Sequence, residues 1–210
     1  MEQVSVLIVG VGGQGTLLTS KIYGHLAKEE GLDVKASEVH GMAQRGGSVV
    51  TYVKYGKQIF SPLVEEGKAD IIMAFELLEA LRWRKYLKKG GRLVVGSQRI
   101  NPMPVITGTM KYPENAVDVI RAECPGALII DALSIAKEAG NKKSINIVML
   151  GAVAALGEFD KSRWINAIKE ISPKGFLDVN LRAFEGGYVA GSSAGAGTGA
   201  GANAGIGAGA

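Results

Sequence analysis

Residues 4–9 read Val-Ser-Val-Leu-Ile-Val, an almost continuously apolar, β-branched run that passes straight into Gly10-Val-Gly-Gly-Gln-Gly15. A run of this kind predicts a strand buried on both faces. The glycines supply a tight turn, and from Thr16 to Glu30 a helical pattern follows, with Leu17, Leu18, Ile22 and Leu26 on one face and Gly31 as its stop. Asp33–Val39 then reads as a second strand. A strand, a glycine turn, a helix and a strand form the opening of a βαβ unit, which restricts the chain to α/β architectures.

The alternation continues. Ser48–Tyr55 reads as a strand, with Gly56-Lys57 as a hairpin turn into Gln58–Phe60. Asp70–Phe75 is predicted as a strand, Glu76–Leu87 as a helix stopped by Lys88-Lys89-Gly90-Gly91, and Arg92–Gly96 as another strand. Pro102 and Pro104 punctuate a loop before a short edge strand at Val105–Thr107. Asn115–Glu123 reads as helical and Ala127–Asp131 as a strand. Ile135–Ala139, Ser144–Leu156, Lys161–Glu170 and Lys174–Val189 make a largely helical C-terminal third. The expected fold is Rossmann-like: a mostly parallel sheet with helices on both faces and a helical C-terminal part, in one domain over 1–190. Residues 191–210 are almost entirely Gly, Ala and Ser, and are expected to be a disordered or extraneous tail.

With 210 residues and 47% hydrophobic content the chain can bury one good core. Its net charge of +4 is spread among alternating acidic and basic residues, which argues against a nucleic-acid surface. No apolar run reaches membrane-spanning length and no secretory signal is evident, so a cytoplasmic location is expected. The one cysteine, Cys124, cannot form a disulfide within the chain, nor hold an iron–sulfur cluster, which takes about four thiolates. It reads as a semi-buried structural thiol.

Gly10, Gly12 and Gly15 match the G-x-G-x-x-G spacing of a phosphate-binding turn, in which backbone N–H groups and a helix N-terminus face an anion. Gly13, Gln14 and Thr16 complete the candidate cofactor-binding turn. Glu38, at the end of the second strand, stands where a nicotinamide enzyme reads a ribose. The loop beyond it is His40-Gly41-Met42-Ala43-Gln44-Arg45-Gly46-Gly47-Ser48, richer in glycine than a ribose corner requires. Gly46 and Gly47 let backbone lie flat against a ligand or a partner chain, and Gly41 stands with them among the candidate cofactor-binding residues. Gln44 and Arg45 can hydrogen-bond an anion or a carbonyl, and His40 can do so near neutral pH.

With two histidines and no carboxylate cluster at ligand spacing, no metal site is expected, and no catalytic residue is assigned. His25 reads as a partly exposed helix residue. Trp83 and Trp164 read as packing residues, and Asp131 as a helix cap.

The glycine turn with Thr16, and the segment Glu38-Val39-His40-Gly41-Met42-Ala43-Gln44-Arg45-Gly46-Gly47-Ser48, resemble the gamma-type subunits of 2-oxoacid:ferredoxin oxidoreductases. Most of the likeness is to the beta subunits of the indolepyruvate enzymes. Ser61-Pro62-Leu63, Ala69-Asp70, Glu76 and Asn146-Ile-Val-Met-Leu-Gly-Ala152 extend the likeness over residues 3–185. It implies a holoenzyme that oxidatively decarboxylates a 2-oxoacid, forms an acyl-CoA and passes electrons to ferredoxin. Thiamine pyrophosphate, magnesium and iron–sulfur clusters would lie on a larger partner subunit. This chain would help cap the site or admit coenzyme A, in a hetero-oligomer such as α2β2. Two alternatives stay open at this point: a free-standing NAD(P)-dependent oxidoreductase using the turn and Glu38, and a regulatory nucleotide-binding module.

Overall fold

A computed structural model describes residues 3–41, 47–173 and 175–197. The order of elements is β1 (Val4–Val11), α1 (Thr16–Glu29), β2 (Asp33–His40), β3 (Ser48–Gly56), β4 (Ala69–Ala74), α2 (Leu77–Trp83), β5 (Leu87–Gly96), α3 (Met103–Ile106), α4 (Ala116–Glu123), β6 (Leu128–Ile130), α5 (Ala132–Glu138), α6 (Ile145–Ala154), α7 (Lys161–Ile171) and α8 (Leu177–Gly197).

The six strands form one sheet in the order β2-β3-β1-β4-β5-β6. β1, β4, β5 and β6 are parallel neighbours, while β3 pairs antiparallel with both β1 and β2. Five strands therefore run one way and β3 alone is reversed, inserted between the two strands of the opening βαβ unit. The expected mostly parallel α/β sheet is present. The expected hairpin from β3 into Gln58–Phe60 is not, because both edges of β3 are already taken. Ile59 is instead buried, its N–H donating to Asp33 Oδ2 at 2.8 Å.

Two further elements differ from the sequence reading. Val105–Thr107 is not an edge strand: Pro102 caps α3 and Pro104 sits in its first turn, where a missing N–H costs no hydrogen bond. Lys88–Gly91 does not form a loop, because β5 starts at Leu87. It absorbs these residues through an irregularity against β4 between Ala69 and Ile71, with Gly90 at φ +79°.

Helices cover both faces. α1, α5, α6, α7 and α8 pack on one side around Ile22, Tyr23, Met149, Trp164 and Phe184. α2 and α4 pack on the other around Leu77, Ala80 and Ile120. α6 is buried along its whole length, because α8 presses onto it through glycine. A Cβ on Gly151 or Gly187 would overlap backbone of the facing helix. α8 runs past 190 to Gly197, with Gly191 packed on Ala152. Residues 198–210 lie outside the described residues.

Candidate functional site

In an open α/β sheet the ligand crevice forms at the C-terminal strand ends, where neighbouring strands send their connections to opposite faces. Here that point lies between β1 and β4: the helix after β1 covers one face and the helix after β4 the other. The glycine turn sits on this crevice. Gly15 adopts φ +88° as the residue before α1, and α1 begins without a side-chain cap. Its N-terminus is thus able to face an anion.

The turn is fastened by its own glutamine. Gln14 Oε1 accepts from Val11 N at 2.7 Å, while Nε2 lies 3.3 Å from Phe75 O and 3.4 Å from Gln98 Oε1. One side chain thereby spans the ends of β1 and β4 and the segment after β5. Gly10 makes this possible, since a Cβ there would stand 2.7 Å from Gln14 Oε1 and 3.2 Å from the Phe75 ring. Gly12 N donates to Gly47 O at 3.0 Å, so the turn also holds the end of the second glycine-rich loop. Gly13, at φ +93°, has open space around it.

Glu38 belongs to the same assembly. Its Oε2 accepts from Thr16 Oγ1 at 2.9 Å and Thr51 Oγ1 at 2.8 Å, and Oε1 lies 2.7 Å from His40 Nε2. Both carboxylate oxygens thus meet groups of α1, β3 and β2. Gly41 N closes the base of the loop on Ser48 O at 2.8 Å. The structure brings together Gly10, Gly12, Gln14, Gly15, Thr16, Glu38, His40, Gly41 and Gly47. The candidate residues Gln44, Arg45 and Gly46, with Met42 and Ala43, lie outside the described residues.

Sequence reasoning gives Glu76 no role of its own. Fully buried directly after β4, it accepts from Leu78 N (2.6 Å), Glu79 N (3.0 Å), Ile100 N (3.0 Å) and Tyr112 Oη (2.5 Å). It caps α2 and clasps both ends of the 100–112 excursion. Burial and the neighbouring Glu76 carboxylate hold the Tyr112 phenol well above its ordinary range. Nearby, Glu79 is raised by burial, against the opposing pull of Ser48 and Arg82. The only available signal is a carboxylate between an apolar strand and a helix, and such a position reads equally well as the first residue of the helix.

The remaining candidates take structural positions. Asp131 caps α5 through Ser134 N at 3.0 Å, which holds its carboxyl below the usual range. Trp164 is fully buried, and Trp83 packs on Tyr86 and Tyr52. Cys124 is half-buried, its thiol pushed up by burial. His25 Nε2 lies 3.3 Å from Glu29. Among the described residues no three His, Cys, Asp or Glu side chains gather as for a metal ion, and no helix is long and apolar enough to cross a membrane. A cavity of about 300 Å³ bordered by Arg92, Arg121 and Leu128 lies at the β6 edge, away from the glycine turn.

Comparison with known proteins agrees with this geometry. The family model described as pyruvate ferredoxin/flavodoxin oxidoreductase matches residues 5–190. Indolepyruvate oxidoreductase subunit IorB of Thermococcus kodakarensis is 40% identical over 197 residues, covering 90% of this chain and 96% of its own length. The protein of the same name from Pyrococcus horikoshii shows the same identity and coverage. In fold, the chain matches a keto/oxoacid ferredoxin oxidoreductase gamma subunit from Geobacter sulfurreducens. The TM-score is 0.67 at 23% identity, covering 90% of this chain and 99% of that one. A strand–glycine turn–helix unit fastened by Gln14, and a match from end to end of the folded region, lead to one conclusion: the chain belongs to the pyruvate ferredoxin/flavodoxin oxidoreductase family.

Proposed function

We propose that this chain is the smaller subunit of an indolepyruvate-type 2-oxoacid:ferredoxin oxidoreductase. In that enzyme an arylpyruvate and coenzyme A give an acyl-CoA and carbon dioxide, and two electrons pass to ferredoxin. The observation that carries the reading is the 40% identity to indolepyruvate oxidoreductase subunits over nearly the whole of both chains.

The donor set of this chain does not fit an iron–sulfur cluster, since it has a single cysteine. The clusters, thiamine pyrophosphate and magnesium therefore belong to a larger partner subunit in this reading. The glycine turn and the loop after His40 form a wall of the chamber where coenzyme A enters. The assembly is a hetero-oligomer such as α2β2, working in the cytoplasm. Against a free-standing nicotinamide enzyme, Glu38 gives both oxygens to protein partners and Gln14 lies across the crevice.

The test is reconstitution. The isolated chain is expected to oxidise no 2-oxoacid with ferredoxin and to leave NADH absorbance unchanged with simple ketones. Joined to its cofactor-bearing partner, it should restore coenzyme A-dependent oxidation of indolepyruvate. Arg45→Ala should lower that coupled activity at least about tenfold with the fold intact, as loss of an interface arginine can. Turnover by the isolated chain with NADH would overturn the reading.

A further inference from the structure

Of the eight arginines in the sequence, all but Arg45 lie among the described residues, and these seven divide into two groups. Arg82, Arg84, Arg99 and Arg163 each meet a carboxylate, and Arg182 donates to Ala139 O, at 3.0 Å from Nη2. Arg92 and Arg121 have no hydrogen-bond or ion-pair partner among the described residues, and both line the one cavity of about 300 Å³ at the β6 edge. Arg92 comes from β5 and Arg121 from the last turn of α4. Among the described residues no carboxylate borders this cavity, and Glu123, two positions after Arg121, is taken by two nitrogens of Arg84.

The rest of the lining is apolar side chain and bare backbone. Leu128 and Leu156 supply an apolar wall, and Gly126 leaves the main chain uncovered just before β6. β6 is the last strand of the sheet. Ser97 N donates to Ile130 O at 2.8 Å, so Ile130 turns its peptide groups towards β5. Alternation along the strand turns the N–H of Ile129 the other way, to the open edge, where Ile129 lines the cavity. Two cations without carboxylates and an edge N–H, beside an apolar wall, are the donor set for an oxyanion carried on a small apolar body.

We propose that this cavity binds the phosphate group of a small molecule, with Arg92 and Arg121 as its clamps and the Ile129 N–H as a third donor. A carboxylate is satisfied by one guanidinium, whose fork takes both oxygens, whereas a phosphate dianion has the charge and the oxygens to use two. The volume stands at the lower end of the range for small-molecule pockets, room for a phosphate on a short apolar body and not for a dinucleotide or a whole coenzyme A. The cavity lies beside the start of β6, while the glycine turn follows the end of β1, so the two are at opposite ends of the parallel strands. A phosphate held here is thus distinct from one held at the N-terminus of α1, whichever enzyme the chain serves.

Amide NMR of the full chain, at an ionic strength held constant with chloride, reads the site directly. Inorganic phosphate should shift the Gly126 and Ile129 amides and saturate with a dissociation constant of about 1 mM or below, as a pair of charge-assisted contacts allows. Arg92→Gln and Arg121→Gln should each raise that constant about tenfold, and the double variant should abolish saturation at both amides. Because neither arginine has a partner to lose, the melting temperature should stay unchanged. Lys57→Gln, on an exposed lysine between β3 and β4, should leave binding unaltered. Phenyl phosphate binding at least about threefold tighter than inorganic phosphate, as burial of a small apolar body gives, supports the site with an organic phosphomonoester as its occupant, and equal affinity supports it with free phosphate. Absence of saturation by about 10 mM phosphate overturns the proposal. So does undiminished binding at these amides in the double variant, or benzoate binding there more tightly than phosphate.

Discussion

Gly187 of α8 lies against the carbonyl of Val148 on α6 with no room between them for a side chain. Both obstructing atoms are backbone, so relief requires the helices to part. Gly187→Ala is expected to destabilise the chain by about 2–4 kcal/mol, as overpacking at a rigid contact does. Gly24, within α1, has nothing within 4 Å of the place a methyl group would take. Gly24→Ala should stabilise by about 0.5–1 kcal/mol through helix propensity alone. Urea denaturation of the two variants should therefore move in opposite directions.

At the mouth of the crevice, a Cβ on Gly15 would meet the Asn146 side chain at 2.8 Å, on a backbone already at φ +88°. Gly15→Ala carries two separable penalties. The left-handed backbone costs about 1–2 kcal/mol whatever surrounds it, and the collision adds to that. Asn146→Ala should remove the collision but not the backbone strain. A double-mutant cycle is expected to show favourable coupling between the two substitutions, and strict additivity would contradict this account.

Glu158 governs a pH dependence. Its carboxyl is enclosed although its stem is half-exposed, and burial pushes its pKa up to about 8, against a smaller opposite pull from the Tyr23 hydroxyl at 3.2 Å. Between the ordinary carboxylate value of about 4.3 and that folded value, the folded chain holds more proton than the unfolded one. Stability should therefore fall as pH rises through this window and level off above it. Glu158→Gln should flatten the profile, gaining on the wild type most at pH 9 and least at pH 5 in denaturant titrations. Tyr23, itself held neutral by burial and by Glu158, leaves the sign unchanged.

Removing Thr51 Oγ1 tests the Glu38 assembly. Thr51→Val keeps the shape and β propensity of β3 but takes one donor from Glu38 Oε2. Loss of a hydrogen bond to a charged group should cost about 1.5–3 kcal/mol, read as a lower melting temperature of the isolated chain.

The opening strand, turn, helix and second strand are legible in the sequence because each is a local pattern: an apolar run, spaced glycines, a 3.6-residue period. The reversal of β3 is not, because alternation in Ser48–Tyr55 marks a strand without naming its neighbours. Leu17 misleads for the opposite reason, satisfying helical periodicity at a position the core does not reach. The spacing of Gly10 and Gly15 points to a ligand, yet their tight spaces are filled by Gln14 and Asn146, one of them 131 residues away. Glu76 reads as helix because its partners Ile100 and Tyr112 lie 24 and 36 positions further along.

The inserted β3 also bears on how the chain reaches this state. β2 and β3 adjoin in sequence and pair over eight residues, and β1 then closes on the same strand. The tip of that hairpin closes over nine positions, from His40 to Val49, whereas β1 reaches β3 across 37 to 51 positions and β6 reaches β5 across 34. Amide exchange during refolding should register protection in the β2–β3 hairpin ahead of β1 and β6, making that hairpin the nucleus on which the parallel strands condense.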